Sequence, residues 1–194
     1  MSSNKDIKYL DKRILECPFN VVDEIKPHKK WIINHYQDHA IRQERGWNVQ
    51  IDSEKDELSR ELNNIIIPRF YDTIQRIFDV EEPTIPITNF VYIQNGGSAI
   101  QQTHNHIQSN TSIAGVSYID VPDEGGEFQY YDGAFALGTN NFKRFKPVEN
   151  KLYLFPGWMF HSPCGQIDMK PRICFNFEYV SRNRPIDMIS NRIW

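Results

Sequence analysis

The chain has 194 residues, of which 40% are hydrophobic and 24% charged, and its formal net charge is -3. This length and composition predict one domain, residues 1–194, with a core of ordinary size. The small negative charge argues against a nucleic-acid partner, because such proteins usually present a basic surface. The polar first residues contain no apolar stretch of a secretion signal, and no segment approaches the roughly 18 apolar residues that span a membrane.

The cysteines indicate a reducing compartment. Cys17, Cys164 and Cys174 form no CxxC pair and are odd in number, so a disulfide framework is not expected. We interpret Cys164 and Cys174 as small packed thiols rather than as a redox pair. Together with the lack of a signal, this predicts a cytoplasmic protein without a membrane partner.

Residues 1–80 are predicted to be mostly helical and to pack on the core. One helix is expected from about Pro27 to residue 40, followed by a loop over residues 41–52. A second helix is expected to begin with Ser53 as its N-cap, and its apolar face continues to about residue 79. Pro68 should kink or restart that helix. The histidines of this part are assigned to the surface or to packing: His28, His35 and His39.

Residues 85–182 read as short strands about ten residues apart, which is typical of a sandwich or barrel. The predicted strands cover residues 87–94, 100–106, 111–121, 127–131, 151–155 and 171–180. Residues 132–146 contain two glycines and are predicted to form a long loop. Such loops often carry function, so we expect this one and the N-terminal helices to shape a substrate entrance.

The histidines of the strand region suggest a metal site. His104 and His106 lie two positions apart in a predicted extended segment, so their side chains should share one side. His161 follows a strand and a Pro-Gly turn much later in the chain and could supply a third ligand. Iron(II) suits imidazoles on one face, which leaves positions open for substrate and oxygen. The alternative is that these are ordinary strand histidines, buried and hydrogen-bonded.

Arg172 opens the predicted strand RICFNFEYV, and we expect it to point inward among Ile173, Phe175 and Phe177. A buried lone charge is very costly, so an inward arginine needs a partner. A dicarboxylate would supply one through a bidentate contact. The alternative is an arginine at a strand end that pairs with a surface acid. For Glu127 we favour a structural role over metal ligation.

Five segments together resemble the 2-oxoglutarate/Fe(II)-dependent dioxygenases, and more narrowly the oxygenases of this kind from marine phages and bacteria in the prolyl-hydroxylase-like group. The segments are THNH, SIAGVSYIDVP, GGEFQYYD, LYLFPGWMFHSPCG and RICFNFEY. The resemblance implies a mainly β fold: N-terminal helices on a double-stranded β-helix (jelly-roll, cupin-like) core. It implies a hydroxylase that uses Fe(II), O2 and the cosubstrate 2-oxoglutarate, acting in the host cytoplasm if a phage encodes it.

The resemblance also implies roles for individual residues. His104 and His161 match metal ligands, and Arg172 matches the arginine that binds the distal carboxylate of 2-oxoglutarate. His106 stands where the family usually has an aspartate, so either the metal has three neutral ligands or one of the two neighbouring histidines lies beside it without binding. The residues that would line the cosubstrate pocket are Tyr118, Tyr92 and Gln94.

Two other interpretations stay open. HxH and the later PGxxxH loosely resemble the motifs of cupins, which would indicate a three-histidine dioxygenase or isomerase that does not use 2-oxoglutarate. A jelly-roll binding module without metal is the other. The substrate is open between a small molecule and a protein side chain, and a nucleobase is disfavoured by the net charge. The C-terminal tail would pack on the core or on a second subunit, which would make a homodimer.

Overall fold

The computed structural model describes residues 7–37, 41–43, 46–50, 57–83, 85–94, 101–131, 142–165 and 170–181. The helices are α1 (Val21–Ile25), α2 (Lys29–Gln37) and α3 (Glu57–Phe78). The strands are β1 (Lys8–Asp11), β2 (Ile14–Pro18), β3 (Ile41–Gln43), β4 (Gly46–Gln50), β5 (Thr88–Gln94), β6 (Ile113–Asp120), β7 (Phe128–Tyr131), β8 (Phe142–Phe145), β9 (Lys151–Pro156), β10 (His161–Pro163) and β11 (Arg172–Tyr179).

The strands form two antiparallel sheets. The large sheet has eight strands in the order β1-β2-β9-β6-β11-β5-β4-β3, and the small sheet has three in the order β10-β7-β8. Neighbours that are far apart in sequence, such as β11 between β5 and β6, mean that the chain crosses repeatedly over the sheet. Every residue of β6 is buried, because this strand lies in the middle of the large sheet with both faces covered.

Helix α3 covers one face of the large sheet. Its apolar side chains recur at helical spacing, as the sequence predicted, and are buried in one cluster with residues of the sheet. Phe70 of α3 stacks on Phe177 of β11 with the ring centroids 4.5 Å apart. The sheet backbone comes so close at Gly115 that a Cβ there would lie 2.7 Å from the ring of Phe70. A second apolar cluster, which includes Tyr118 of β6 and Phe128 of β7, lies on the opposite face toward the small sheet.

The prediction that residues 1–80 are mostly helical is wrong at two places. β1 and β2 form a hairpin, and β2 pairs with β9 through Leu15 opposite Leu154. β3 and β4 occupy residues predicted to be a loop, and β4 pairs with β5. These short strands extend the two edges of a sheet that the later residues build, so hydrogen bonding to a distant strand overrides their weak local pattern.

The helices also differ from the prediction in detail. The first one begins earlier, because α1 and a 3-10 turn that contains Pro27 precede α2. α3 continues through Pro68 as one helix, so the predicted restart is wrong. The predicted N-cap Ser53 lies outside the described residues. Among those residues, no helix is both long and apolar enough to cross a membrane.

In the second half, the strands predicted at 87–94, 111–121, 127–131, 151–155 and 171–180 are confirmed as β5, β6, β7, β9 and β11. The prediction of a strand over residues 100–106 that carries His104 and His106 is wrong. In the described residues 101–106 only His104 makes a β-bridge. The predicted loop 132–146 ends in β8, and its residues 132–141 lie outside the described part of the chain.

Candidate metal centre

His104, His106 and His161 form a cluster in which one nitrogen of each imidazole lies within 4.8 Å of the others. The ring centroids of His104 and His161 are 4.4 Å apart, and those of His106 and His161 are 5.1 Å apart. The sequence prediction therefore selected three histidines that the fold does bring together. Among the described residues, this group does not include Glu127. The side chains of His28, His35 and His39 lie outside the described set.

The three histidines meet because of backbone contacts rather than strand alternation. His104 and His161 form an antiparallel β-bridge, with N···O distances of 3.0 and 2.9 Å. The amide of His106 donates to the carbonyl of Gly157 at 2.7 Å. A Cβ on Gly157 would lie 2.0 Å from the carbonyl oxygen of Thr111, so only glycine permits this close approach. Gly157 thus positions the loop that carries His106.

Each imidazole uses its Nδ1 for an outward hydrogen bond. Nδ1 of His104 lies 2.9 Å from the carbonyl oxygen of Gln102, and Nδ1 of His161 lies 2.9 Å from that of Met159. A carbonyl oxygen only accepts, so both Nδ1 atoms must donate. The free nitrogen of each ring is then Nε2, which carries a lone pair. This is the tautomer that metal-binding histidines show when a partner orients the ring.

Burial favours the neutral form of His104 and His161. The pKa of His161 lies well below its ordinary value, chiefly because the ring is buried and further because it adjoins His104 and His106. Burial lowers the pKa of His104 as well, against the opposing effect of its hydrogen bond to Gln102. A neutral imidazole binds a metal ion, whereas a protonated one does not. His104 and His161 are therefore held in the form that can bind a metal ion.

Glu178 on β11 is the side-chain partner of His106. Its Oε1 lies 2.6 Å from Nδ1 of His106, and its Oε2 accepts from the hydroxyl of Thr111 at 3.2 Å. Burial alone would raise the pKa of Glu178, but hydrogen bonds from His106, Thr111 and Ser109 lower it below its ordinary value. Sequence analysis missed this carboxylate. Counting every second residue from Arg172 along the strand would have found it on the same face.

Arg172 is almost completely buried at the start of β11. Its Nη2 donates to the hydroxyl of Tyr118 at 2.8 Å and its Nη1 to Oε1 of Gln94 at 3.4 Å. Nε of Arg172 and Nε2 of Gln94 are buried without a hydrogen-bond partner. Within the described residues, no carboxylate lies at ion-pair distance from Arg172. The predicted alternative of a strand-end arginine paired with a surface acid is therefore wrong.

The neighbours predicted for Arg172 also need correction. Ile173 and Phe175 belong to the apolar cluster on the α3 side of the sheet, because successive side chains of a strand point to opposite faces. On its own face Arg172 shares a cavity with Cys174 and Asn176. The free thiol of Cys174 is buried, and that burial raises its pKa. It is a packed thiol, as the sequence indicated.

A single cavity of about 230 Å³ joins the histidine cluster to the arginine. Tyr92 and Tyr118 line it beside Arg172, and the guanidinium carbon of Arg172 lies 4.8 Å from the ring centroid of Tyr118. Burial raises the pKa of both phenols to about 12, so they stay protonated. Gln94 reaches the cavity only through its contact with Arg172. The structure thus brings all seven predicted site residues into one region, where Glu178 joins them.

Neither a protein-family model nor a curated protein sequence matches the chain. Solved structures do. A prolyl-4-hydroxylase from Pseudomonas putida is similar over 88% of this chain and 93% of its own, at 13% identity and a TM-score of 0.61. A prolyl hydroxylase from Trichoplax adhaerens, in complex with a hypoxia-inducible-factor peptide, is similar over 87% and 84%, at 14% identity and 0.63.

HygX from Streptomyces hygroscopicus, whose structure holds nickel and 2-oxoglutarate, is similar over 88% of this chain and 83% of its own, at 9% identity and a TM-score of 0.62. At these identities the likeness concerns the fold. The mainly antiparallel β fold of this chain is similar to the fold of these two prolyl hydroxylases and of the 2-oxoglutarate-bound HygX.

Proposed function

We propose that the protein is an Fe(II)- and 2-oxoglutarate-dependent dioxygenase that hydroxylates its substrate. The observation that carries this proposal is a buried guanidinium without a carboxylate partner in the same cavity as three converging imidazoles. A buried lone cation is costly unless a ligand neutralises it. A dicarboxylate with a metal-chelating end satisfies both ends of the cavity at once.

The residues fit the two groups that this chemistry requires. Nε2 of His104, His106 and His161 would hold the metal, since the Nδ1 of each ring is already hydrogen-bonded. The fork of Arg172 would bind the distal carboxylate of 2-oxoglutarate, with Nε, now without a partner, as one donor. When bound, iron and 2-oxoglutarate together supply the oxidation of a substrate by O2, coupled to oxidative decarboxylation of the cosubstrate.

The remaining residues of the chain prepare this site. The hydroxyl of Tyr118 holds Nη2 of Arg172, so the guanidinium is oriented before the cosubstrate arrives. Tyr92 and Tyr118 cover the arginine with aromatic rings and limit the access of water, which strengthens every charge interaction inside. Oε1 of Gln94 accepts from Nη1 of the same guanidinium and so helps to orient it.

The fold of the relatives supports the finer architectural proposal. We take the large and small sheets as the two halves of a double-stranded β-helix, and residues 1–194 as one domain. The similar Trichoplax adhaerens enzyme holds a peptide and HygX holds 2-oxoglutarate. We propose a small molecule or a protein side chain as the substrate class of this chain, and the peptide complex supports the second of these.

A second candidate is a three-histidine dioxygenase that does not use 2-oxoglutarate. The observation that favours it is the cluster itself, because its three donor side chains are all imidazoles and none is a carboxylate. It leaves the buried Arg172 without a role. The two candidates therefore differ in whether 2-oxoglutarate binds next to the metal.

The test is an anaerobic titration of the full chain with Fe(II), with and without 2-oxoglutarate, followed by the visible metal-to-ligand charge-transfer band. We expect a band only when both are present. It should disappear in Arg172→Ala and persist weakly in Arg172→Lys, which keeps the charge but loses the fork. An exposed control, Arg69→Ala, should behave like the unaltered chain.

Iron binding without the band would move the assignment to the three-histidine candidate. No iron binding by the unaltered, folded chain would refute both candidates and leave a binding module.

A further inference from the structure

We infer that Glu178 and His106 act as one unit, in which Glu178 is a positioning residue for the metal. It orients the imidazole and provides the negative charge that the neutral ligand set lacks. This inference rests on the proposed function, because it assigns a role to a residue beside the proposed ligands.

The contact between the two side chains is short and sheltered. Oε1 of Glu178 and Nδ1 of His106 are 2.6 Å apart, and the side chains are only 13% and 17% exposed. The other carboxylate oxygen is held by the hydroxyl of Thr111. Ser109 also hydrogen-bonds the carboxylate, and a carboxylate with these two anchors loses little further freedom when it orients His106. Charge-assisted hydrogen bonds of this length are among the stronger ones in proteins.

His106 differs from the other two histidines in the type of partner at Nδ1. His104 and His161 each use a backbone carbonyl, which is neutral. His106 uses a carboxylate, and it occupies the position at which the resemblance leads one to expect an aspartate. A negative charge is therefore present near this position, but it is on Glu178, which contacts His106 instead of binding the metal itself. Such a partner also raises the basicity of the imidazole as a ligand.

The strand geometry gives the cavity two oppositely charged ends. Arg172 and Glu178 lie on the same face of β11; their Cα atoms are roughly 20 Å apart at about 3.3 Å per residue, and both side chains extend into one cavity. The positive end is suited to the free carboxylate of a cosubstrate, and the negative end adjoins the metal. This arrangement offsets the positive charge of a divalent ion where its own ligands do not.

The test measures Co(II) and Zn(II) affinity of the metal-free full chain by calorimetry, without any activity assay. Replacement of such a partner typically weakens metal binding 10- to 100-fold, so we expect a weakening in that range for Glu178→Ala. Glu178→Gln keeps an acceptor but no charge and should show a smaller loss. Glu16 is comparably sheltered, at 16% exposure, but lies on β2, so Glu16→Gln is the matched control and should bind like the unaltered chain.

The decisive comparison repeats Glu178→Gln in the His106→Asp background. There the substitution should weaken metal binding much less, because an aspartate at position 106 supplies the negative charge itself and has no Nδ1–H for residue 178 to orient. A merely structural role for Glu178 would give the same loss in both backgrounds, and that result would overturn the inference. So would unaltered metal affinity in both Glu178 variants.

Two further results distinguish failure of this inference from failure of the variant or of the proposed function. If Glu178→Gln does not fold, Thr111→Val is the substitute, because it removes only the hydrogen bond from Thr111 to the carboxylate. We expect a several-fold loss of metal affinity from it, and full affinity would count against the inference. If the unaltered chain binds neither metal, the proposed function fails and this inference fails with it. If the unaltered chain binds metal but its affinity does not depend on residue 178, this inference fails and the proposed function stands.

Discussion

The two faces of β11 differ in what they bury. Toward α3, Phe175 and Tyr179 lie in a continuous apolar cluster. Toward the small sheet, Arg172 and Glu178 are sheltered polar groups that border a cavity, and Nε of Arg172 has no hydrogen-bond partner. The first face lowers the free energy of the folded chain through packing. The second face lowers stability, because it buries a charge without a carboxylate partner.

The largest expected effect on stability comes from the apolar face. Phe175→Ala should lower the free energy of unfolding by about 3–5 kcal/mol, because it leaves a cavity in a fully buried cluster. On the opposite face, Arg172→Met should leave the free energy of unfolding of the ligand-free chain unchanged or raise it, because an apolar group replaces a buried unpaired charge. Chemical denaturation of both variants measures the contrast.

The comparison would break if Arg172→Met destabilised the chain as much as Phe175→Ala. That result would make the arginine a structural residue of the core. A loss of 2-oxoglutarate affinity in Arg172→Met without loss of stability would sharpen the contrast.

Two glycines allow the same comparison at the level of the backbone. Gly157→Ala should push the chain away from Thr111 and displace the loop of His106, at a cost of about 1–3 kcal/mol in stability and at least tenfold in metal affinity. Gly115→Ala meets the ring of Phe70 on the other face and should reduce stability without changing metal affinity. Calorimetric metal titrations and thermal unfolding of the two variants separate these effects. Equal metal affinities in both would contradict the role assigned to Gly157.

The smallest expected effect is the dependence of stability on pH. Burial lowers the folded-state pKa of His104 and His161, whereas their pKa in the unfolded chain is about 6.5. Below that pH the unfolded chain binds more protons than the folded one, so the free energy of unfolding should fall as pH drops from 6.5. Denaturation at several pH values measures the slope. His161→Asn should flatten it, and an equal slope in that variant would refute the assignment.

Metal affinity should also fall as pH drops. His104 and His161 stay neutral below the ordinary histidine range, so protonation of these two residues should release metal only below a pH of about 6.5, which calorimetric titrations at several pH values measure.

Sequence patterns identified the strands that are rich in β-branched and aromatic residues and lie inside the sheet, such as β6 and β11. They could not identify β1 to β4, because those strands are short and depend on partners elsewhere in the chain. The same limit applies to the site. His104, His106 and His161 were found from their order, yet the predicted reason, a shared strand, is wrong. Their convergence depends on a bridge and on Gly157, which only three-dimensional contacts specify.

Glu178 shows a different limit. It lies on the predicted face of a predicted strand, but a glutamate near a strand end has no distinctive pattern. Strand alternation places it on the face of Arg172, but only its distance to His106 shows which group it serves. Arg172 was easier to predict, since a charge inside an apolar strand is conspicuous in any sequence.

The bridge between His104 and His161 has a consequence for folding. It is a single pair of hydrogen bonds between segments that are far apart in the chain, and contacts of this kind form only after a long loop has closed. The binding cavity is therefore expected to be among the last parts of the molecule to form, after α3 has packed on the large sheet. An ion captured by the three imidazoles would hold this closure shut, so its departure should first be felt as local opening of the small sheet rather than as global unfolding.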